Sequence, residues 1–262
     1  MTSEELVSSR PRCSVCSNEK WKAVYRIRDW SVLECTSCGF ARIDPLPSRD
    51  SRPELYSEDK VVGRNTRRKS AVKRFFAYLK RVFGRLFRRN KGAIFYNRFC
   101  KRLPAGSAIL DIGCGDGSFL RMAKERFVCT GIEISPYLAG LARMQNDIKV
   151  IEGDFLTDGV VKGRFDGISL ISHLEHLDDP MKAVSICFNL MNKGGVILLK
   201  TVNYSSINRV VRGRGWTGFR PPDHVVYFSP ANLTRLLKKA GFAKVSISAW
   251  PFSDNMYCEA VK

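Results

Sequence analysis

Residues 109–120 read ILDIGCGDGSFL: a short apolar run ending in Asp111, then Gly113, Gly115 and Gly117 at alternate positions, then a helix start. Glycines in such a turn let the backbone bend sharply and lie against a ligand with no Cβ in the way. The turn belongs to a sheet whose strands alternate with helices, and the chain after it repeats that alternation. Strand-like segments fall at 108–112, 127–133, 148–151, 165–171, 195–202, 244–250 and 255–261, with helices fitting 117–125, 136–144, 180–191 and 230–240. Asp179-Pro180 and Ser229-Pro230 each place a capping side chain before a proline at the first helical position, and Gly194 and Gly241 stand where helices stop. The last two strands have no helix between them, so they should form an antiparallel hairpin at the sheet edge. The fold class predicted is α/β, a mostly parallel sheet doubly wound by helices.

The dinucleotide fingerprint G-x-G-x-x-G would put the third glycine three places after the second. Here it falls two after, Ser118 follows it, and an acid stands two places before the first glycine. A carboxylate there suits a ligand bearing an ammonium group and would repel a pyrophosphate. This D-x-G-x-G-x-G form resembles motif I of the class I S-adenosylmethionine (SAM) dependent methyltransferases. With FDGISLISHLEHLDDP and MNKGGVILLKTVN following in order, the resemblance covers about residues 100–262. It implies a seven-stranded Rossmann-like sheet with the last strand antiparallel, and SAM as cofactor. Asp111, Gly113, Gly115 and Gly117 would lie along SAM. Glu133, 18 residues after Gly115, would accept the ribose hydroxyls, with Ile134 beside it. Asp154 would take the adenine amine and Phe155 would flank the ring. A glycine-rich turn in some other doubly wound enzyme is the alternative.

Four of the nine cysteines form two C-x2-C pairs, Cys13/Cys16 and Cys35/Cys38. Two such knuckles bring four thiolates around one tetrahedral Zn²⁺, and Gly39 relieves the turn after the last ligand. No histidine lies near enough to open the site, so a structural metal is expected. The module, closed by Asp44-Pro45-Leu46-Pro47 and followed by Tyr56, resembles the N-terminal zinc ribbon of methyltransferases found with sugar, polysaccharide and envelope biosynthesis enzymes. Their usual double tyrosine is missing, and the chain ends without the long extra domain of the sugar C-methyltransferases, which points away from carbon methylation. The organisation expected is a zinc ribbon at 10–47, a linker at 48–63, a basic amphipathic segment at 64–104 and a SAM-dependent domain at 105–262.

Between Asp59 and Asp111 there is no acid but 16 Lys or Arg, while the rest of the chain balances 28 against 25. In that stretch Val72, Phe75, Phe76, Leu79, Val82, Phe83, Leu86 and Phe87 fall within an arc of roughly 140° on a helix. Basic side chains take the other side, as on a helix lying on an anionic leaflet. The alternatives are phenylalanines packed on the chain's own core, or RNA held by the basic face, although RNA clefts interleave aromatics with charge. The N-terminus lacks a signal-peptide centre, and no apolar run approaches the roughly 18 residues of a span. A cytoplasmic protein, peripheral at the inner membrane face, is expected.

Three histidines remain, His173, His176 and His224. SHLEHLDDP follows the fourth strand, at the ligand-binding end of an open α/β sheet. In related zinc-ribbon sugar methyltransferases the matching Glu-His pair lies in the active site. That resemblance implies His176 as base toward an acceptor hydroxyl and Glu175 as its orienter, the alternative being a hydrogen-bonded loop anchor. Small-RNA 2′-O-methyltransferases and quinone O-methyltransferases that resemble this domain bind Mg²⁺ through E-x-x-E-H. Ser172 replaces the first carboxylate here, which argues against a metal at Glu175 and His176. His224 belongs to a segment that follows a lid, where Arg209, Arg212, Arg214 and Arg220 among glycines would read a phosphate, or else stand solvated. The expected activity is SAM-dependent O-methylation of a small-molecule, sugar-containing or lipid-linked acceptor. RNA methylation and a non-catalytic SAM-binding scaffold are the other two readings.

Overall fold

The computed structural model describes residues 12–48, 91–146 and 148–262. Apart from Ser48, the expected linker lies outside the described residues, as does the basic stretch 64–90 with Phe75, Phe76, Phe83 and Phe87. The end of that segment is described as helix α1, Lys91–Arg102, which buries Phe95 and Phe99 against Phe119 and Phe127. These two phenylalanines pack on the core, so the lipid-facing expectation concerns residues before 91 only.

The larger sheet has seven strands: β4 Ala108–Ile112, β5 Val128–Glu133, β6 Lys149–Glu152, β7 Phe165–Ile171, β8 Met191–Val202, β10 Lys244–Ala249 and β11 Asn255–Val261. Their order is β10-β11-β8-β7-β4-β5-β6. The strands from β6 to β8 pair in parallel, and β11 runs antiparallel to both β8 and β10. The expected terminal hairpin is present, and its second strand turns inward beside β8, leaving β10 at the edge. Ile109, Leu110 and Ile112 of β4 are all fully buried. A parallel strand covered on both faces reads as a continuous apolar run, and that made it legible.

Helices α2 Ser118–Ala123, α3 Pro136–Asn146, α4 Pro180–Leu190, α5 Ile207–Arg212 and α6 Pro230–Lys239 complete the winding. Asp179 caps α4 by accepting from the Lys182 N–H at 2.9 Å, and Ser229 and Asn232 form a reciprocal capping box on α6. Both caps stand where the sequence placed them.

A second, four-stranded antiparallel sheet joins the cysteine segment to the stretch just before α6. Its strands are β1 Trp21–Ile27, β2 Trp30–Cys35, β3 Ala41–Asp44 and the two-residue β9 Val226–Tyr227, in that order. Ala41 pairs with Tyr227 and Arg42 with Val226. Phe40 packs on Phe228 with ring centroids 5.0 Å apart, and Asn232 Nδ2 donates to the Cys38 carbonyl at 2.8 Å. Cys13, Val15, Trp21, Phe40 and Ile43 share one buried apolar cluster with Phe228 and Leu233. The cysteine segment thus takes part in the core of the larger domain.

Candidate functional site

The glycine loop leaves β4 with Gly113, Gly115 and Gly117 at φ of 69°, 57° and 74°, a left-handed backbone that favours glycine. At Gly113 a Cβ would sit 2.1 Å from Nδ1 of His173, so the imidazole lies directly on the loop. Glu133, at the end of β5, clamps the loop from behind. One carboxylate oxygen accepts from the Gly115 N–H and the other from the Ser135 N–H, both at 2.9 Å. Asp111 is buried, and its carboxylate accepts from the Ser169 hydroxyl at 2.6 Å. Burial drives the Asp111 carboxyl up to about 7, the Ser169 hydrogen bond opposing and the Glu133 charge adding to the rise. A buried carboxylate poised there is ready for a cationic ligand group to ionise it.

Beside the loop lies a cleft lined by Gly113, Ile134, Asp154, Phe155, His173 and His176 among others. Across Gly113, Asp111, Cys114, Phe119 and Lys91 line a second cleft. The residues expected along SAM are thus brought to one place from the ends of three adjacent strands.

After β7 the chain enters a 3-10 turn, Leu174–His176. The Nδ1 atom of His176 lies 2.7 Å from the Asp223 backbone oxygen and 3.2 Å from its Oδ1. Facing two oxygens, Nδ1 is assigned the proton, which leaves Nε2 unprotonated. Burial alone would lower the pKa of His176, but the Asp223 hydrogen bond and the Glu175 charge outweigh it and hold the pKa above the ordinary 6.5. The His224 ring stands 5.0 Å from that of His176 and its Nδ1 lies 2.7 Å from the Gly218 carbonyl oxygen. Burial first, then the neighbouring His176 charge, push His224 down to about 4.

Glu175 does not orient His176, contrary to the sequence expectation. It is 1% exposed, and its Oε2 has no hydrogen-bond partner. The two side chains come close, but no hydrogen bond joins them. The orienter is Asp223, 47 residues on. A donor atom from each of Glu175, His176 and His224 lies within 4.8 Å of the others. Where the sequence reading counted a carboxylate missing at Ser172, the fold brings in His224 as a third donor.

A third cleft is lined by Ser172, Glu175, His176, Lys200, Arg220 and His224 among others. It shares His176 with the first cleft and Lys91 with the second. Lys200 was missed from sequence because it stands in an apolar run that reads only as strand. The expected arginine lid is partly spent on protein contacts. Arg220 bonds Asp223 at 2.6 Å, and Arg209 lies 4.2 Å over the Tyr204 ring. Arg212 and Arg214 are exposed.

Cys13, Cys16, Cys35 and Cys38 gather with all four sulfurs within 4.8 Å of one another. The Cys13–Cys38 and Cys16–Cys35 separations are 3.6 and 3.5 Å. A tetrahedron with Zn–S bonds of about 2.3 Å has edges of about 3.8 Å, so the cluster fits such an ion. Each knuckle closes alike, with the Ser17 N–H donating to the Cys13 carbonyl and the Gly39 N–H to that of Cys35. Both closing residues are left-handed, at φ of 65° and 71°. Burial pushes the Cys13 thiol up to about 11, whereas at Cys35 burial is outweighed by Asn18 and backbone hydrogen bonds, which bring it to about 7. Four clustered sulfurs, two buried and two half-buried, one of them readily ionised, are a donor set for a divalent cation.

The family described as Methyltransferase domain matches residues 82–247. A ubiquinone biosynthesis O-methyltransferase from Xanthomonas axonopodis pv. citri is 28% identical over 158 residues, 55% of this chain and 66% of that protein. Its counterpart from Xanthomonas oryzae pv. oryzae is 31% identical over 106 residues, 38% of this chain and 44% of that protein. The chain therefore spans between under half and about two thirds of the length of these curated relatives. Among solved structures, the magnesium protoporphyrin IX methyltransferase of Synechocystis PCC 6803 with bound SAH aligns with a TM-score of 0.53 at 18% identity, covering 65% of this chain and 81% of that one. A SAM-dependent methyltransferase from Archaeoglobus fulgidus aligns with a TM-score of 0.53 at 19% identity, covering 72% and 99%. The seven-stranded sheet, the glycine loop at its centre and the match across more than half the chain agree: this chain belongs to the methyltransferase domain family, and its fold is that of a SAM-dependent methyltransferase enzyme.

Proposed function

We propose that the chain transfers a methyl group from SAM to an oxygen of a small, sugar-containing or lipid-linked acceptor at a membrane surface. The observation that carries this reading is His176. Asp223 holds its Nδ1, and the ring stands in the wall common to the glycine-loop cleft and the third cleft. When bound, SAM supplies an already activated methyl. Asp111 and Glu133 favour its cationic and hydroxyl groups beside the loop, and Gly113, Ile134, Asp154 and Phe155 form the wall against it. His176 takes the acceptor's proton on Nε2, and neutral His224 keeps a second positive charge away.

A surface feature supports the membrane part. Val210, Val211, Trp250 and Phe252 are 65%, 78%, 71% and 63% exposed, with Ile207 beside them. The Ile207 N–H donates to the Pro251 carbonyl and Asn208 Nδ2 to that of Phe252, so the two segments form one apolar patch flanked by exposed Arg212 and Arg214. Exposed aliphatics with a tryptophan and arginines suit the interface of an anionic leaflet. No helix among the described residues is long and apolar enough to cross a membrane. Zinc at the four cysteines would be structural.

Methyl-labelled SAM incubated with the protein and separate lipid, saccharide and RNA extracts tests the reading. Label should appear in lipid or saccharide and be stable to ester cleavage, as an ether is. Label in RNA alone would transfer the activity to the nucleic-acid reading. SAM binding with no labelled product in any extract would leave the scaffold reading.

A further inference from the structure

Lys200 stands on β8 at 3% exposure, in the wall of the third cleft. Its ammonium donates to the Ser172 hydroxyl at 2.5 Å and makes no other hydrogen bond among the described residues. An ammonium carries three donors, so two of them are unspent on protein groups. In the same cleft Glu175 presents a buried Oε2 with no partner. These opposite charges form no ion pair with each other, although pairing would offset the cost of burying them. Burial holds the Lys200 ammonium down at about 8, with Lys91 and Arg220 adding and Glu175 opposing. Lys91 and Arg220 also line this wall, and Arg220 is already bonded to Asp223.

What completes such a site must accept from the ammonium and donate to the carboxylate. A phosphate or carboxylate ligand only accepts and would meet Glu175 with like charge. An amine only donates to Glu175 and would be repelled by Lys200. A hydroxyl does both, and two neighbouring hydroxyls do so with the better reach. We propose that Lys200 and Glu175 read a vicinal diol of the acceptor, Lys200 donating to the oxygen of one hydroxyl while the other donates to Glu175 Oε2. Ser172 holds the ammonium in place. This rests on the methyl-transfer reading of the same cleft and adds the acceptor class, a neutral diol carried by either a sugar ring or an aromatic ring.

The full chain, saturated with S-adenosylhomocysteine, is titrated with two probe pairs by ligand-observed NMR. One pair is catechol against phenol, the other a methyl glycoside against its 2-deoxy form. Removing one hydroxyl leaves a charged partner unpaired, so the diol of at least one pair should bind about 10- to 100-fold tighter than its counterpart. The pair that discriminates identifies the ring type. Lys200→Met and Glu175→Leu should each bring the two affinities to within about threefold while SAM binding, measured by calorimetry, stays as in wild type. Should Lys200→Met not fold, Glu175→Leu alone must erase the preference. No preference in either pair, or a preference that survives in both folded variants, overturns the proposal. So does Mg²⁺ restoring the preference to Lys200→Met, since a cation and not the substrate would then bridge the gap. A diol preference in protein that fails to bind SAM would uphold the pocket and defeat the methyl-transfer reading instead.

Discussion

His176→Ala should lower turnover about 10²–10⁴-fold at saturating acceptor while SAM affinity is unchanged, because a positioned base contributes on that scale and the methyl is already activated. Asp223→Asn should lose less, since the Asp223 backbone oxygen, which the substitution keeps, still holds Nδ1 at 2.7 Å. The acid limb of the pH profile carries the same information. His176 must be neutral to act and its pKa is held above 6.5, so the rate should fall as pH drops through a midpoint above that value. In Asp223→Asn the midpoint should move toward acid, as the charge favouring the imidazolium is gone. Full activity in His176→Ala, with the acid limb unmoved, would reduce the histidine to a loop anchor.

Removing zinc should have the larger structural effect. Isolated zinc fingers gain about 10–16 kcal/mol of apparent folding free energy from the metal, comparable with the whole stability of a typical domain. Purified protein should contain one zinc per chain, and chelation or Cys13→Ser should unfold residues 13–44. The loss should reach the other end of the chain. Ala41 and Arg42 pair with Tyr227 and Val226, and Phe40 packs on Phe228, so amide exchange at 226–228 should accelerate together with that of the ribbon. Because Asp223 and His224 lie just before β9, a metal at the cysteines would support the His176 wall at a distance. Protein without zinc and with four freely reactive thiols would end this account of the cysteines. Exchange that accelerates only up to residue 48 would separate the ribbon from the site.

The parts of the fold carried by local pattern were legible. The parallel strands announce themselves as apolar runs, the helices by Asp179-Pro180 and Ser229-Pro230, and the loop by Asp111 with its three glycines. Contacts between distant residues were not. β9 is two residues long, and its partner strand lies over 180 positions earlier, so nothing in HVVYFSP advertises a sheet. Glu175 looks like the partner of His176 because it precedes it, whereas the hydrogen bond to the ring comes from Asp223, which arrives from another loop. Lys200 reads as one polar residue in a strand, and only packing shows that it is buried with its charge nearly unmatched.

Everything above depends on the glycine loop being the SAM site, and one titration tests that most directly. Calorimetry of SAM into the wild-type chain should show a single site, weakened about 10- to 100-fold in Glu133→Ala, because the ribose hydroxyls lose a charged acceptor and Gly115 and Ser135 lose the carboxylate that fixes their amides. The far-ultraviolet spectrum should be the same in both. Unchanged affinity in a folded Glu133→Ala chain, or no SAM binding to wild type at all, would contradict the account.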